Sequence, residues 1–119
     1  MSYIEYLKHI LDETVFIINK TQQLDKKDFL KDEVLKRAFV RSLEIIGEAV
    51  KRLPEDLRKK FHQIDWRAIA GTRDKLIHDY FGIDYDIVWD IIVNEIPALK
   101  NEIEIIFKDL DIVGHDEKQ

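Results

Sequence analysis

Apolar residues return every three or four positions through the first part of the chain. The positions are Ile4, Leu7, Leu11, Val15 and Ile18. This stripe predicts a first amphipathic helix. Ser2 and Glu5 have the spacing of a capping box, which indicates that the helix begins at Ser2. The polar stretch 24–31 predicts a loop with one helical turn, for which Asp25 or Asp28 is the cap.

A second helical stripe follows Asp32, whose carboxylate suits a helix cap. Its members are Leu35, Phe39, Leu43, Ile46, Val50 and Leu53. Further apolar residues flank this stripe on both sides, namely Val34, Ala38, Val40, Ile45 and Ala49. A helix with so wide an apolar surface needs cover from two sides. The cover is either a second subunit or a central position in a small bundle, and the pattern leaves both open.

Helix start and stop signals divide the rest of the chain. Pro54 suits a first helical position, so a short helix is predicted over 54–61. Asp65 is predicted to cap a helix that begins at Trp66. That helix should end near Gly82, because glycine readily takes the left-handed backbone that closes helices.

The last helix is predicted to follow Asp84. Its apolar stripe consists of Val88, Ile92, Leu99, Ile103, Ile106 and Leu110. Pro97 interrupts the stripe without a polar break around it. Because proline lacks an N–H and crowds the carbonyl of Val93, we expect one helix that bends at Pro97. Residues 113–119 are expected to form a flexible C-terminal tail.

Composition agrees with one helical domain over 1–112. The chain has 119 residues, of which 45% are apolar and 36% charged, so it can bury one core. Four glycines and two prolines are too few for a turn-rich all-β fold. The lack of cysteine excludes disulfides, thiolate metal sites and cysteine nucleophiles, and suits a reducing cytosol. Without a membrane-length apolar run or a signal peptide, we expect a cytoplasmic protein with no membrane partner.

The net charge of −5 is unevenly distributed. Residues 1–82 carry a balance of +2, and 83–119 carry −7. Between Lys51 and Lys75, eight basic residues face four acids, so this stretch is either an anion-binding surface or an ordinary solvated face.

Arg73 lies among apolar residues on the predicted helix 66–80. On an ideal helical wheel, Trp66 and Tyr80 fall within about 20° of it, and Ile69 and Ile77 within about 40°. A buried guanidinium needs a carboxylate partner, a water-filled cleft or an anionic ligand. The function depends on which of these Arg73 has.

Asp74 and His78 form an i, i+4 pair beside this stripe. An aspartate that hydrogen-bonds a histidine orients its ring and suits it to general acid or base catalysis. The alternative is a helix-surface ion pair that contributes about 0.2–0.5 kcal/mol. Spacing does not decide between them.

Arg73 and His78 are about 140° apart on an ideal helix, so one protomer does not aim both at one atom unless the helix loosens near Gly82. A two-fold dimer would place two such pairs around one cleft. In RNA cleavage, the histidine would move a proton at the 2′-hydroxyl or the leaving oxygen. The arginine would neutralise charge on the phosphorane, and no metal would be needed.

Other kinds of site are poorly supported. His9, His62 and His115 lack metal-ligand spacing, and no metal or cofactor is expected. Asp84, Asp86 and Asp90 stand near a helix start, where capping is the favoured interpretation over metal binding. Phosphate-loop, hydrolase-elbow and dinucleotide motifs are all absent from the sequence.

The segment RDKLIHDY, from Arg73 to Tyr80, resembles the R-x4-6-H signature of HEPN domains, in the R-x4-H-x-Y form of HepT-type toxins. The similarity continues in the same order through further blocks. These are SLEIIGEA at 42–49, IDWRAIAG at 64–71, YFGID at 80–84, VW at 88–89 and IPAL at 96–99.

The resemblance implies an all-α, up-and-down bundle of four to five helices that forms a homodimer. It further implies a metal-independent endoribonuclease, the toxin of a type VII-like toxin–antitoxin pair whose antitoxin is an MntA-like nucleotidyltransferase. By the same resemblance Arg73 and His78 are catalytic and Tyr80 receives AMP. The family more often has asparagine after the arginine, so Asp74 is a departure that adds a carboxylate in a supporting position.

Two other functions remain open from the sequence. The same dimer cleft would bind nucleotide or RNA without cutting it, or dock a nucleotidyltransferase. In a purely structural bundle, Arg73 would instead be neutralised by Glu44 or Glu48.

Overall fold

The computed structural model describes residues 2–72, 76 and 82–111, and every element in these ranges is helical. The helices are α1 Tyr3–Thr21, α2 Lys26–Lys31, α3 Glu33–Lys51, α4 Glu55–Lys60, α5 Trp66–Ala70, α6 Tyr85–Asn94 and α7 Ile96–Asp109. The all-α prediction is confirmed. The predicted count of four to five helices is too low for this part of the chain, because short helices and helix breaks divide it into seven. The predicted tail, 113–119, lies outside the described residues.

Aspartates cap four of the helices, as the sequence predicted. Asp25, Asp32, Asp65 and Asp84 each accept hydrogen bonds from backbone N–H groups in the first turn that follows. These bonds satisfy donors that have no partner inside the helix. The capping box at Ser2 is only half correct: α1 begins there and the Ser2 carbonyl accepts from Glu5 N at 3.1 Å, but the Ser2 side chain makes no capping bond.

Charged residues reinforce the start of α3. Lys36 Nζ donates to Glu33 at 2.9 Å, and this hydrogen bond with the attached charge lowers the pKa of the Glu33 carboxyl below its usual value. The negative charge stands in the first turn of the helix, where the helix dipole favours it.

Helix α3 is the central element of the bundle. It packs against α1, α2, α5 and α6, so the two-sided cover that its wide apolar surface demanded comes from the same chain. Phe39 of α3 lies fully buried, with its ring centroid 5.6 Å from Phe29 of α2 and 6.1 Å from Phe16 of α1. Val34, at the start of α3, remains 77% exposed.

The prediction of one bent C-terminal helix is wrong. Helix α6 ends at Asn94, and α7 begins at Ile96 with Pro97 in its first turn. Glu95 stands between them with φ −104° and ψ −37°. Pro97 has no N–H to give to Val93, and the start of a helix is where that missing donor costs least.

The prediction of one helix from Trp66 to Gly82 is also wrong in its first part. Helix α5 ends at Ala70, and Gly71 closes it with φ −91° and ψ 7°. Arg73 and Tyr80, which the helical wheel placed beside Trp66, lie outside the described residues.

Helix α7 completes the core by packing against α1 and α6. Ile103 and Ile106 of α7 and Ile10 of α1 are fully buried. In the described ranges no helix has the length and apolar character needed to cross a membrane.

Candidate functional site

The four residues singled out by the sequence lie between Thr72 and Gly82. Arg73, Asp74, His78 and Tyr80 are all outside the described residues. The structure describes both ends of this segment and Leu76 within it.

The N-terminal end of the segment is held against α3. A Cβ built on Gly47 of α3 would lie 3.4 Å from the carbonyl oxygens of Ile69 and Ala70, so α5 crosses α3 backbone to backbone at this glycine. Thr72 is buried, and its Oγ1 donates to the Ala68 carbonyl at 3.2 Å. The chain thus enters the candidate segment from a fixed point on the central helix.

The C-terminal end is held at the start of α6. Leu76 is 1% exposed, and its carbonyl accepts a 2.8 Å hydrogen bond from Asp84 N. Gly82 has φ +83°, the left-handed value that the sequence predicted for this glycine. The Asp84 carboxylate caps α6 through the N–H groups of Asp86 and Ile87, at 3.0 and 3.3 Å.

The two acids considered as partners of Arg73 have ion pairs of their own on α3. Glu44 lies 3.7 Å from Arg41, and Glu48 lies 3.3 Å from Lys51. Since Arg73 is outside the described residues, its neutralisation by either acid stays a prediction.

Thr72 also borders an apolar cleft of about 410 Å³ between α3, α5 and the α6–α7 junction. Leu43 and Ile46 of α3 belong to its apolar lining. Its charged lining residues within the described ranges are acidic: Asp65, Glu95 and Glu102. We call this the acidic-rimmed cleft, and these carboxylates disfavour a phosphate-bearing ligand.

A second cleft, of about 560 Å³, opens between α4 and the start of α5. We call it the α4–α5 cleft. It is lined by Glu55, Arg58, Lys59, His62, Gln63, Ile64, Asp65, Trp66 and Arg67. These cations belong to the basic stretch between Lys51 and Lys75, and the sequence suggested no role for His62 beyond the disfavoured one of a metal ligand.

A third cleft, of about 400 Å³, lies between α1 and α3. We call it the α1–α3 cleft. Its charged lining residues are Arg41 and Arg52 against Glu13 and Glu48, with His9 beside them. Two cations and two carboxylates leave its permanent charge balanced.

The acidic residues near α6 have structural partners. Besides the Asp84 cap, Asp86 pairs with Lys26 at 2.9 Å and Asp90 accepts from the Asn94 amide at 2.7 Å. The capping interpretation of Asp84 is therefore confirmed. Within the described ranges, no three His, Asp or Glu side chains are grouped so as to hold a metal ion.

Comparison with known proteins gives a consistent result. The family model described as Ribonuclease HepT-like matches residues 3–106. A protein of Caldanaerobacter subterraneus subsp. tengcongensis, named as a candidate RNase, is 53% identical over 103 residues, which cover 87% of this chain and 92% of that protein. A candidate RNase of Methanocaldococcus jannaschii is 49% identical over 112 residues, covering 94% and 91%.

A more distant relative carries the family name itself. A protein of Thermococcus cleftensis, named as a candidate ribonuclease HepT, is 40% identical over 107 residues, which cover 90% of this chain and 97% of that protein. No solved structure gives a significant match.

Proposed function

This chain belongs to the HepT-like ribonuclease family, and from that premise we propose that it is a metal-independent endoribonuclease whose site is formed by Arg73 and His78. The observation that carries the proposal is the family match over residues 3–106, which spans the whole Arg73-x4-His78-x-Tyr80 segment. The anchoring of both ends of that segment, on α3 and at the cap of α6, supports it, since catalytic groups need a rigid support.

The proposed reaction is an in-line attack within the RNA strand. The 2′-oxygen forms a bond to the adjacent phosphorus and the bond to the 5′-oxygen of the next nucleotide breaks, leaving a 2′,3′-cyclic phosphate and a 5′-hydroxyl. His78 takes the proton of the 2′-hydroxyl or gives one to the leaving oxygen, and the other of these two protons is exchanged with water. Arg73 stabilises the negative charge that develops on the phosphorane oxygens.

Asp74 has a supporting role in this proposal. A carboxylate four residues before His78 would hold the imidazole in one tautomer and favour its protonated form. The same negative charge would also weaken the attraction of the site for RNA phosphates. Asp74 is therefore proposed to support the histidine at some cost in RNA affinity.

The proposal includes a two-fold homodimer. The active site needs Arg73 and His78 at the same phosphate. If the two side chains of one protomer do not reach the same phosphate, a second copy of the chain supplies the missing one. Because α3 finds its cover within the chain, the dimer proposal depends on the family and on the site, not on an uncovered α3.

Regulation is proposed to come from a nucleotidyltransferase partner in a toxin–antitoxin pair. The Tyr80 hydroxyl oxygen would attack the α-phosphorus of ATP, forming a Tyr–AMP phosphodiester while pyrophosphate leaves and the phenol proton passes to a base or solvent. A bulky anion two residues from His78 would repel RNA and block the site.

The first test is cleavage of single-stranded RNA in the presence of EDTA. Wild-type protein should cut the strand. His78→Ala should slow cleavage about 10²–10⁴-fold through loss of proton transfer, and Arg73→Ala about 10²–10³-fold through loss of charge stabilisation. Gel separation of end-labelled RNA measures the rates.

The matched control for this test is Arg37→Ala, which removes an exposed arginine of α3. It should leave the rate within about twofold of wild type, because surface substitutions away from the site are nearly neutral. Cleavage that survives both Arg73→Ala and His78→Ala would contradict the assigned site. RNA binding without cleavage would favour a non-catalytic binding module.

The second test concerns the partner. Co-expression with a small nucleotidyltransferase encoded beside this gene should add the mass of AMP to the protein and suppress its ribonuclease activity. Tyr80→Phe should prevent the gain while leaving cleavage intact, because only the hydroxyl is removed. Intact-protein mass spectrometry measures the addition, with Tyr85→Phe as the control. An unchanged mass in the wild type would reject this regulation.

A further inference from the structure

We propose that the α4–α5 cleft binds the phosphate backbone of the RNA strand outside the cleavage site, with Arg58 and Arg67 as its principal contacts. This inference rests on the proposed function, because it extends the path of the same substrate. The charge of the residues that line the cleft and their hydrogen bonds support the inference.

Of the cleft's cationic side chains, only Lys59 has an ion pair with a residue that the structure describes. Among the residues that the structure describes, Arg58, His62 and Arg67 form no ion pair. Arg58 Nε is buried and has no hydrogen-bond partner in the same part of the chain. No described carboxylate pairs with the Arg58 guanidinium, so it remains able to pair with an external anion.

The two carboxylates of the cleft already have partners. Asp65 accepts the capping hydrogen bond from Ala68 N at 3.1 Å, and Glu55 lies 3.9 Å from Lys59. Three permanent cations face these two carboxylates in the lining, and His62 lies beside them.

The two other clefts described above show no such excess among the residues that the structure describes. The charged residues that line the acidic-rimmed cleft in this part of the chain are acids, and those of the α1–α3 cleft are balanced. A polyanion would therefore be drawn to the α4–α5 cleft of the three.

The base of the α4–α5 cleft strengthens this attraction. Ile64 and Trp66 are both buried there, and the Trp66 indole N–H is taken by the Phe61 carbonyl at 3.1 Å. These side chains form a rigid apolar wall of low dielectric, beside which a charge–phosphate contact is stronger than in open water.

The position of the cleft along the chain fits a strand that continues into the cleavage site. Arg67 precedes Arg73 by six residues, so their Cα atoms are at most about 22 Å apart. A strand of several nucleotides spans that distance. A phosphate held by Arg58 and Arg67 would fix the register of the strand without reading its sequence.

The test measures binding to a uridine strand of about twenty nucleotides, enough to fill a groove of this kind. The strand carries 2′-O-methyl groups, which keep the phosphates and block attack by the 2′-oxygen. Arg58→Gln with Arg67→Gln should raise the Kd at least about tenfold. The slope of log K against log salt should fall by about 1.4 in magnitude, since each lost single-strand phosphate contact removes about 0.7.

The matched control is Lys27→Gln with Arg37→Gln, which changes the net charge equally on α2 and at the start of α3. It should leave the salt slope within about 0.3 of wild type, because these cations do not line the cleft. Fluorescence anisotropy across a salt series measures all variants. Arg67 is exposed, so Arg67→Gln alone, with an expected slope change of about 0.7, serves as the test if the Arg58 variant does not fold.

The outcomes separate this inference from the proposed function. Equal loss of affinity in the cleft and control variants, an unchanged slope in the cleft variant, or no binding by the wild type would overturn the inference. If cleavage of unmodified RNA depends on Arg73 and His78 but RNA binding does not depend on Arg58 and Arg67, only the proposal for the cleft is overturned. If RNA binding depends on Arg58 and Arg67 but no RNA is cleaved, the proposal for the cleft is supported and the proposed nuclease activity is overturned.

Discussion

Single residues fix where helices begin and how closely they approach. The four aspartate caps depend only on a carboxylate beside free N–H groups, so local sequence was enough to predict them. Gly47 is different. It stands inside a long helix, where glycine is unfavourable, and its importance is visible only because α5 crosses it backbone to backbone.

The contact at Gly47 predicts a dependence on side-chain size. A Cβ 3.4 Å from two carbonyl oxygens is in van der Waals contact, so Gly47→Ala should be neutral or stabilise the protein by up to about 1 kcal/mol through helix propensity. Gly47→Leu should destabilise it by about 1–3 kcal/mol, because a larger side chain pushes α5 away. Urea unfolding measures both free energies. Equal effects of the two variants would show that the crossing is not tight.

The packing of whole helices and the positions of their breaks could not be predicted from the local hydrophobic pattern. The apolar surface of α3 was too wide for one neighbour, and its hydrophobic period could not say whether a second subunit or the same chain supplied the cover. The fold supplies it from four helices of the same chain. The breaks at Gly71 and Glu95 likewise interrupt continuous apolar stripes, because helical periodicity reports a buried face and says little about a single residue that interrupts the helix. Glu95 does so although its backbone angles stay in the right-handed helical region.

At the scale of the whole molecule, the basic stretch and the acidic C-terminal part meet, since Lys60 pairs with Asp109 at 3.1 Å. The α4–α5 cleft adjoins the acidic-rimmed cleft, and Gln63, Ile64 and Asp65 line both. The low net charge coexists with one local region that suits a polyanion. Charge distribution, and not net charge, is the relevant quantity for an RNA-binding surface.

The proposed dimer predicts complementation between inactive protomers. If Arg73 of one copy and His78 of the other act on one phosphate, a mixture of Arg73→Ala and His78→Ala proteins should recover about a quarter of wild-type activity. Half of the dimers would then be mixed, each with one intact site of two. The mixture is assayed after subunit exchange, and light scattering gives the mass in solution. A monomer, or a mixture as inactive as its components, would contradict a shared site.

The sequence by itself determined the helical class, the start of nearly every helix and the segment that carries Arg73, His78 and Tyr80, because caps, periodicity and motif spacing are local properties. Only the tertiary structure decided that α3 is central, that α5 ends at Ala70 and that, among the described residues, the two carboxylates of the α4–α5 cleft have partners while Arg58 Nε has none. These depend on which distant surfaces meet. Contacts between residues far apart in the chain decide how charge is paired and where an open cleft remains.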